Sequence, residues 1–121
     1  MDRRWLISGG LLGATGVLLS AYGSHGLARH VAGADAVELW KTAARYQVWH
    51  AAPVLFCALL PRRHSGRVGG AMTAGAALFA LGVYGSVLSE DTRVFGRVAA
   101  TGGVLLAAAW ALLAYVGVAG Q

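Results

Sequence analysis

His50 is the residue whose type and setting most invite chemistry. It closes the segment Arg45-Tyr46-Gln47-Val48-Trp49-His50. A guanidinium, a phenol, an amide and an imidazole thus fall within two helical turns. Tyr46 lies one turn before His50 on the same helix face. Such a set suits a proton relay. It also suits the carbonyl oxygens of a quinone, whose planar rings stack well on Tyr46 or Trp49. A plain structural task fits the same residues: a neutral His50 bonded across helices, to Ser20 or Thr15. The second notable histidine is His25, in Ser20-Ala21-Tyr22-Gly23-Ser24-His25-Gly26-Leu27. Its glycines let a chain leave a helix and turn. His25 then stands at a helix end, ready to bind a ligand or to bond free carbonyls.

Spacing argues against one metal or haem held by both histidines. On antiparallel helices His25 is level with about residues 39–42, and His50 is about 12–16 Å deeper. No carboxylates stand at ligand spacing nearby, so no metal or cofactor is expected. No nucleophile elbow, phosphate loop or dinucleotide fingerprint is present, and no enzymatic activity is expected. His30, His64, Glu90 and Asp91 read as solvated loop residues. Cys57 reads as a small buried hydrophobe.

The elements that position these residues follow from composition. Of 121 residues, 57% are hydrophobic and 12% charged, about half the usual charged share. So few charges cannot cover the surface of a small soluble domain. Ten Lys and Arg against five Asp and Glu give a charge of +5. The basic residues cluster beside apolar runs, as Arg3/Arg4 and Arg62/Arg63/Arg67, and form no nucleic-acid motif. They read instead as membrane topology signals and as partners of anionic headgroups. A bilayer core takes about 20 apolar residues per helix. Four runs qualify, at about 5–24, 39–60, 68–88 and 98–118. Short connections favour an up-down-up-down arrangement. The first run lacks a small-x-small cleavage site after it, so it is expected to be retained rather than removed as a signal.

Small residues recur at helical spacing. Gly9, Gly13, Gly16 and Ser20 mark one face of the first helix, Gly75 and Gly82 one face of the third, and Gly103 one of the fourth. In lipid such stripes let backbones approach closely. The second run is different: its first half is polar and rich in aromatics. Trp40, Tyr46 and Trp49 suit an interfacial belt, and Pro53 removes one helical hydrogen bond. The clustered arginines at the amino terminus and in the 61–67 connection place both termini on the cytoplasmic side.

Two segments resemble a known family. Ala21-Tyr22-Gly23-Ser24-His25-Gly26-Leu27 resembles its G-A-F/Y-G-A-H-G-L motif. Trp40 to Ala51 resembles its T-A-x-x-Y-Q-x-x-H-A motif. The family is the small bacterial membrane proteins called domain of unknown function 423, related to animal transmembrane protein 256. Gly82 to Leu88 and Thr101-Gly102-Gly103 resemble later family stretches more loosely. The resemblance implies a four-helix inner-membrane protein and no particular activity.

The expectation is therefore an all-α, membrane-spanning four-helix bundle forming one domain over 1–121. It would be non-enzymatic and bind a lipid, a lipophilic ligand or a membrane partner, itself included. The alternative is a redox or proton-handling module with a quinone near His50. A transporter or channel ranks third, because so short a chain needs an oligomer to form a pathway.

Overall fold

The computed structural model describes residues 1–89 and 91–120. Four helices account for nearly all of them: α1 (Arg3–His25), α2 (Ala34–Phe56), α3 (Arg62–Ser89) and α4 (Thr92–Ala119). Single 3-10 turns follow α1, at Leu27–Arg29, and α2, at Cys57–Leu59.

Each helix begins before its apolar run, and α2 ends at Phe56, short of the end of its run at 60. Asp2 caps α1 by accepting from the Arg4 backbone N–H at 3.2 Å. Asp91 caps α4 by accepting from the N–H groups of Arg93 and Val94. Asp91 is an exposed residue of the connection, as expected, and also caps α4; Glu90 lies outside the described residues. Pro61 precedes α3, and its carbonyl accepts from the N–H groups of His64 and Ser65. Gly33 precedes α2 with φ at +93°, a left-handed backbone that favours glycine.

Helices α2, α3 and α4 begin at Ala34, Arg62 and Thr92, ahead of the apolar runs that start at about 39, 68 and 98. Hydropathy marks the apolar stretch of a helix, whereas caps set where the helix begins. His64, Arg62, Arg63 and Arg67 consequently lie in the first turns of α3, and Arg93 and Arg97 in those of α4. Lys41 and Arg45 fall inside α2. By length and composition α1, α3 and α4 are each long and apolar enough to cross a membrane; α2, whose first half is polar, is not among them.

The small-residue faces set the packing. A Cβ added at Gly9 would lie 2.8 Å from Leu55, and one at Gly16 would lie 2.8 Å from Val48. Gly23 faces Trp40. Rising numbers on α1 thus meet falling numbers on α2, so the two pair antiparallel. Helices α3 and α4 pair in the same sense: Gly75 meets Leu106, Gly82 meets Ala99 and Gly85 meets Phe95. Helix α2 also packs on α3. Helix α4 docks on α3 alone: among the described residues none of its Cα atoms comes within 8 Å of α1 or α2. Four helices in a closed square would each have two neighbours, so this chain is not such a square.

Two apolar clusters form the core. One joins Trp5, Val54, Cys57, Val68, Met72, Leu106 and Val116 at the end holding the amino terminus. The other joins Leu27, Trp40, Ala43, Ala80, Tyr84 and Val87 at the opposite end. Between them lie the polar groups of α2.

Candidate functional site

Helix α2 ties the other three helices together through side chains that hydropathy counts as a penalty. Gln47 is buried. Its Nε2 donates to the Leu12 carbonyl at 3.1 Å and to Thr15 Oγ1 at 2.5 Å. Its Oε1 accepts from the Tyr84 hydroxyl at 2.9 Å. Gln47 thereby joins α1 to α3. Above it, Trp40 Nε1 donates to the Leu19 carbonyl at 2.8 Å, and its ring lies 4.4 Å from that of Tyr84. Trp40 is 4% exposed. It is a core residue and no part of an interfacial belt. An amphipathic ring is equally suited to either place, and only the Leu19 carbonyl decides between them.

His50 faces α4. Trp110 Nε1 donates to His50 Nε2 at 3.1 Å, and Nδ1 lies 2.7 Å from the Tyr46 carbonyl. An indole N–H only donates, so Nε2 accepts and Nδ1 carries the hydrogen. This is the neutral ring with both nitrogens occupied. The cross-helix partner is Trp110, and Thr15, a partner considered from sequence, bonds Gln47 and the Leu11 carbonyl instead. Tyr46 is half-exposed and stacks on Phe79 at 4.9 Å.

The five residues singled out from sequence thus fall in three places. Gln47 is interior. Tyr46 and His50 line a cavity of about 400 Å³ between α2 and α4, with Trp49, Leu106 and Trp110. His25 and Arg45 line a separate groove of about 400 Å³ between α1 and α2, with Ser20, Ser24, Val48 and Trp49. His25 is exposed at the end of α1. The two histidines thus line different cavities, and among the described residues no three His, Cys, Asp or Glu side chains converge.

Of the small residues, Gly9, Gly16, Gly75 and Gly82 sit at tight helix contacts, while Gly13 has only ordinary contact with Ala51. On α4 the residue pressed against α3 is Gly102, whose added Cβ would strike the Phe79 backbone. Gly103 is one position off that face and meets only the edge of the Phe79 ring. Ser20 opens onto the α1–α2 groove.

Sequence reading did not single out Tyr84 or Trp110. Their type was the available signal, since a buried tyrosine or tryptophan needs a polar partner. It also missed Asp2. This carboxylate is 8% exposed and binds Arg4 at 2.8 Å and the Ser65 hydroxyl at 3.1 Å. Its backbone N–H donates to the Ala58 carbonyl at 3.0 Å. The amino terminus is thereby clasped to the connection between α2 and α3. The Arg4 guanidinium holds the Asp2 carboxyl well below the usual aspartate range, with the Ser65 hydroxyl helping.

Fold and grooves together define an all-helical protein with three helices long and apolar enough to cross a membrane. The chain belongs to the family described as protein of unknown function (DUF423), whose model matches residues 19–103. That stretch includes His25, Arg45, Tyr46, Gln47 and His50. The chain is also 31% identical to a UPF0382 membrane protein of Schizosaccharomyces pombe over 108 residues. The match covers 85% of this chain and 92% of that protein. No solved structure matches it.

Proposed function

We propose that this chain is a polytopic, non-enzymatic membrane protein that holds a lipid, a lipophilic ligand or another membrane subunit against its helices. The observation that carries this reading is the outer surface. Ile7, Leu11, Leu18, Leu81, Val104 and Val118 are all 60% or more exposed. Water would penalise each of these side chains, and hydrocarbon accepts them. The polar groups of Gln47, Tyr84, His50 and Ser65 meanwhile turn inward and find partners. This arrangement suits a bilayer, where backbone and buried polar groups must be satisfied internally.

In this reading all four helices cross, α2 included, in up-down-up-down order. The antiparallel pairings support that order. Arg3, Arg62, Arg63 and Arg67 gather at one end, because Asp2 is bonded to Ser65 and Ala58. Val116 lies in the core cluster of that same end. The tight clustering of these arginines supports a cytoplasmic side for both termini, against Arg29, Lys41, Arg45, Arg93 and Arg97 spread along the other end. A bacterial plasma membrane is what the family resemblance suggests, and the fission-yeast relative extends the family to a eukaryote. The hydrogen bonds of His50 favour its structural role over the quinone alternative: Nε2 already accepts from Trp110, and a quinone carbonyl, which can only accept, would have to displace the Tyr46 carbonyl from Nδ1–H.

Alkaline carbonate washing and topology reporters test the proposal. The protein is expected to stay with the membrane after the wash. Reporters at Gln121 and in the 61 connection are expected on the cytoplasmic side, and one at His30 on the other. Release by carbonate, or all three reporters on one side, would overturn it.

A further inference from the structure

The groove between α1 and α2 is amphipathic along its length. Apolar Val17, Ala21, Ala44, Val48 and Trp49 share its lining with the Arg45 guanidinium, the His25 imidazole and the hydroxyls of Ser20 and Ser24. Arg45 is exposed, and no carboxylate of the described residues pairs with it. Elsewhere Thr15, Thr42, Ser86, Ser89 and Thr101 fold their hydroxyls back onto carbonyls of their own helix. Ser20 and Ser24 make no such bond among the described residues and are left to face the groove. An unpaired guanidinium and two unused hydroxyls are costly in an apolar medium. Their natural complement is an anion with several acceptor oxygens, which a guanidinium binds with two parallel hydrogen bonds. The apolar wall asks for a hydrocarbon chain attached to that anion. A free inorganic anion would leave the wall uncovered.

Resting on the membrane reading above, we propose that this groove binds one anionic phospholipid of the leaflet at the His25 end. Its phosphate lies on Arg45 and the serine hydroxyls, and one acyl chain lies along Val17, Ala21 and Val48. Arg45 is set about 10 Å below the level of His25, judged from the Gly16–Val48 and Gly23–Trp40 pairings. Its long side chain therefore reaches up the groove toward the headgroup layer.

Native mass spectrometry of the whole protein in mild detergent tests this, with added phosphatidylglycerol, phosphatidylcholine or glycerol phosphate. One phosphatidylglycerol is expected to be retained, and neither of the other two. Arg45→Gln is expected to weaken retention about tenfold, the loss of a charged hydrogen bond. Ala21→Trp, which fills the apolar wall and keeps the charge, is expected to do the same. Arg93→Gln, an equal charge loss at an exposed position on α4, is expected to leave retention unchanged. Circular dichroism checks that each variant stays helical. Should Arg45→Gln misfold, Ala21→Trp carries the test. Equal retention of both lipids, unchanged retention in Arg45→Gln or Ala21→Trp, or full competition by glycerol phosphate would overturn the proposal. Lipid retained elsewhere, without dependence on Arg45, would sink this site and leave the membrane reading standing.

Discussion

The indole N–H of Trp110 meets Nε2 of His50 at 3.1 Å, and among the described residues this is the one side-chain hydrogen bond that α4 makes to another helix. Helix α4 otherwise leans on α3 through small-residue contacts. The pair therefore sets how far α4 stands from α2 and holds the histidine in one tautomer. A double-mutant cycle with His50→Leu and Trp110→Phe is expected to give a coupling of about 1 kcal/mol in thermal unfolding in detergent. Additive effects of the two changes would show that the bond contributes nothing.

Gln47 is the joint between α1 and α3. Replacing it by leucine keeps the bulk and strips three hydrogen bonds, leaving the Tyr84 hydroxyl buried without an acceptor. Gln47→Leu is expected to destabilise by about 1–3 kcal/mol, and the less disruptive Tyr84→Phe by about 1 kcal/mol. Equilibrium unfolding compares the two. If Tyr84→Phe proves the costlier change, the joint is not centred on Gln47.

Neighbouring glycines on α4 should respond differently. Gly102→Ala drives a methyl into the Phe79 backbone, whereas Gly103→Ala meets almost nothing. The first is expected to lower stability by about 1–3 kcal/mol through overpacking, the second to change it by less than about 0.5 kcal/mol. Melting temperatures of the two purified variants decide it. Equal melting temperatures would mean that α4 faces α3 in another rotation.

The amino-terminal clasp carries its own pH signature. The Asp2 carboxyl is held below the ordinary aspartate value, so its contribution is complete above the unfolded value of about 4. It is lost as pH falls from there through the lowered folded value. Asp2→Asn removes the titration. Wild type is expected to be the more stable of the two at neutral pH, and their difference to narrow progressively below about pH 4. A constant difference across that range would place the Asn effect in packing rather than charge.

Much of this architecture was legible in the chain. An excess of apolar over charged residues, broken into four runs by Gly, Pro and Arg clusters, leaves few alternatives to packed apolar helices. The close approach of α1 to α2 and of α3 to α4 follows from Gly9, Gly16, Gly75 and Gly82, because glycine on one face at steps of three and four admits a neighbouring backbone. The helix starts were less legible, since capping by Asp2 and Asp91 extends helices into charged flanks where hydropathy falls.

The site was legible as a list and not as a place. Residue type marked Arg45, Tyr46, Gln47 and His50 as unusual, because polar groups in an apolar run must find partners or functions. Which of these holds depends on groups far away in sequence. Trp110 comes 60 positions after His50 and Tyr84 37 positions after Gln47, and no local pattern couples such positions. The helical rotation of about 100° per residue sends Arg45 to the α1 groove, Gln47 to the interior and His50 toward α4. Composition and periodicity thus determine that the chain makes apolar helices with close-packed faces. The rotation of α2 among its neighbours decides which of its polar groups is a joint and which is left open for a ligand, because hydrogen bonds are short and directional while hydrophobic burial is neither.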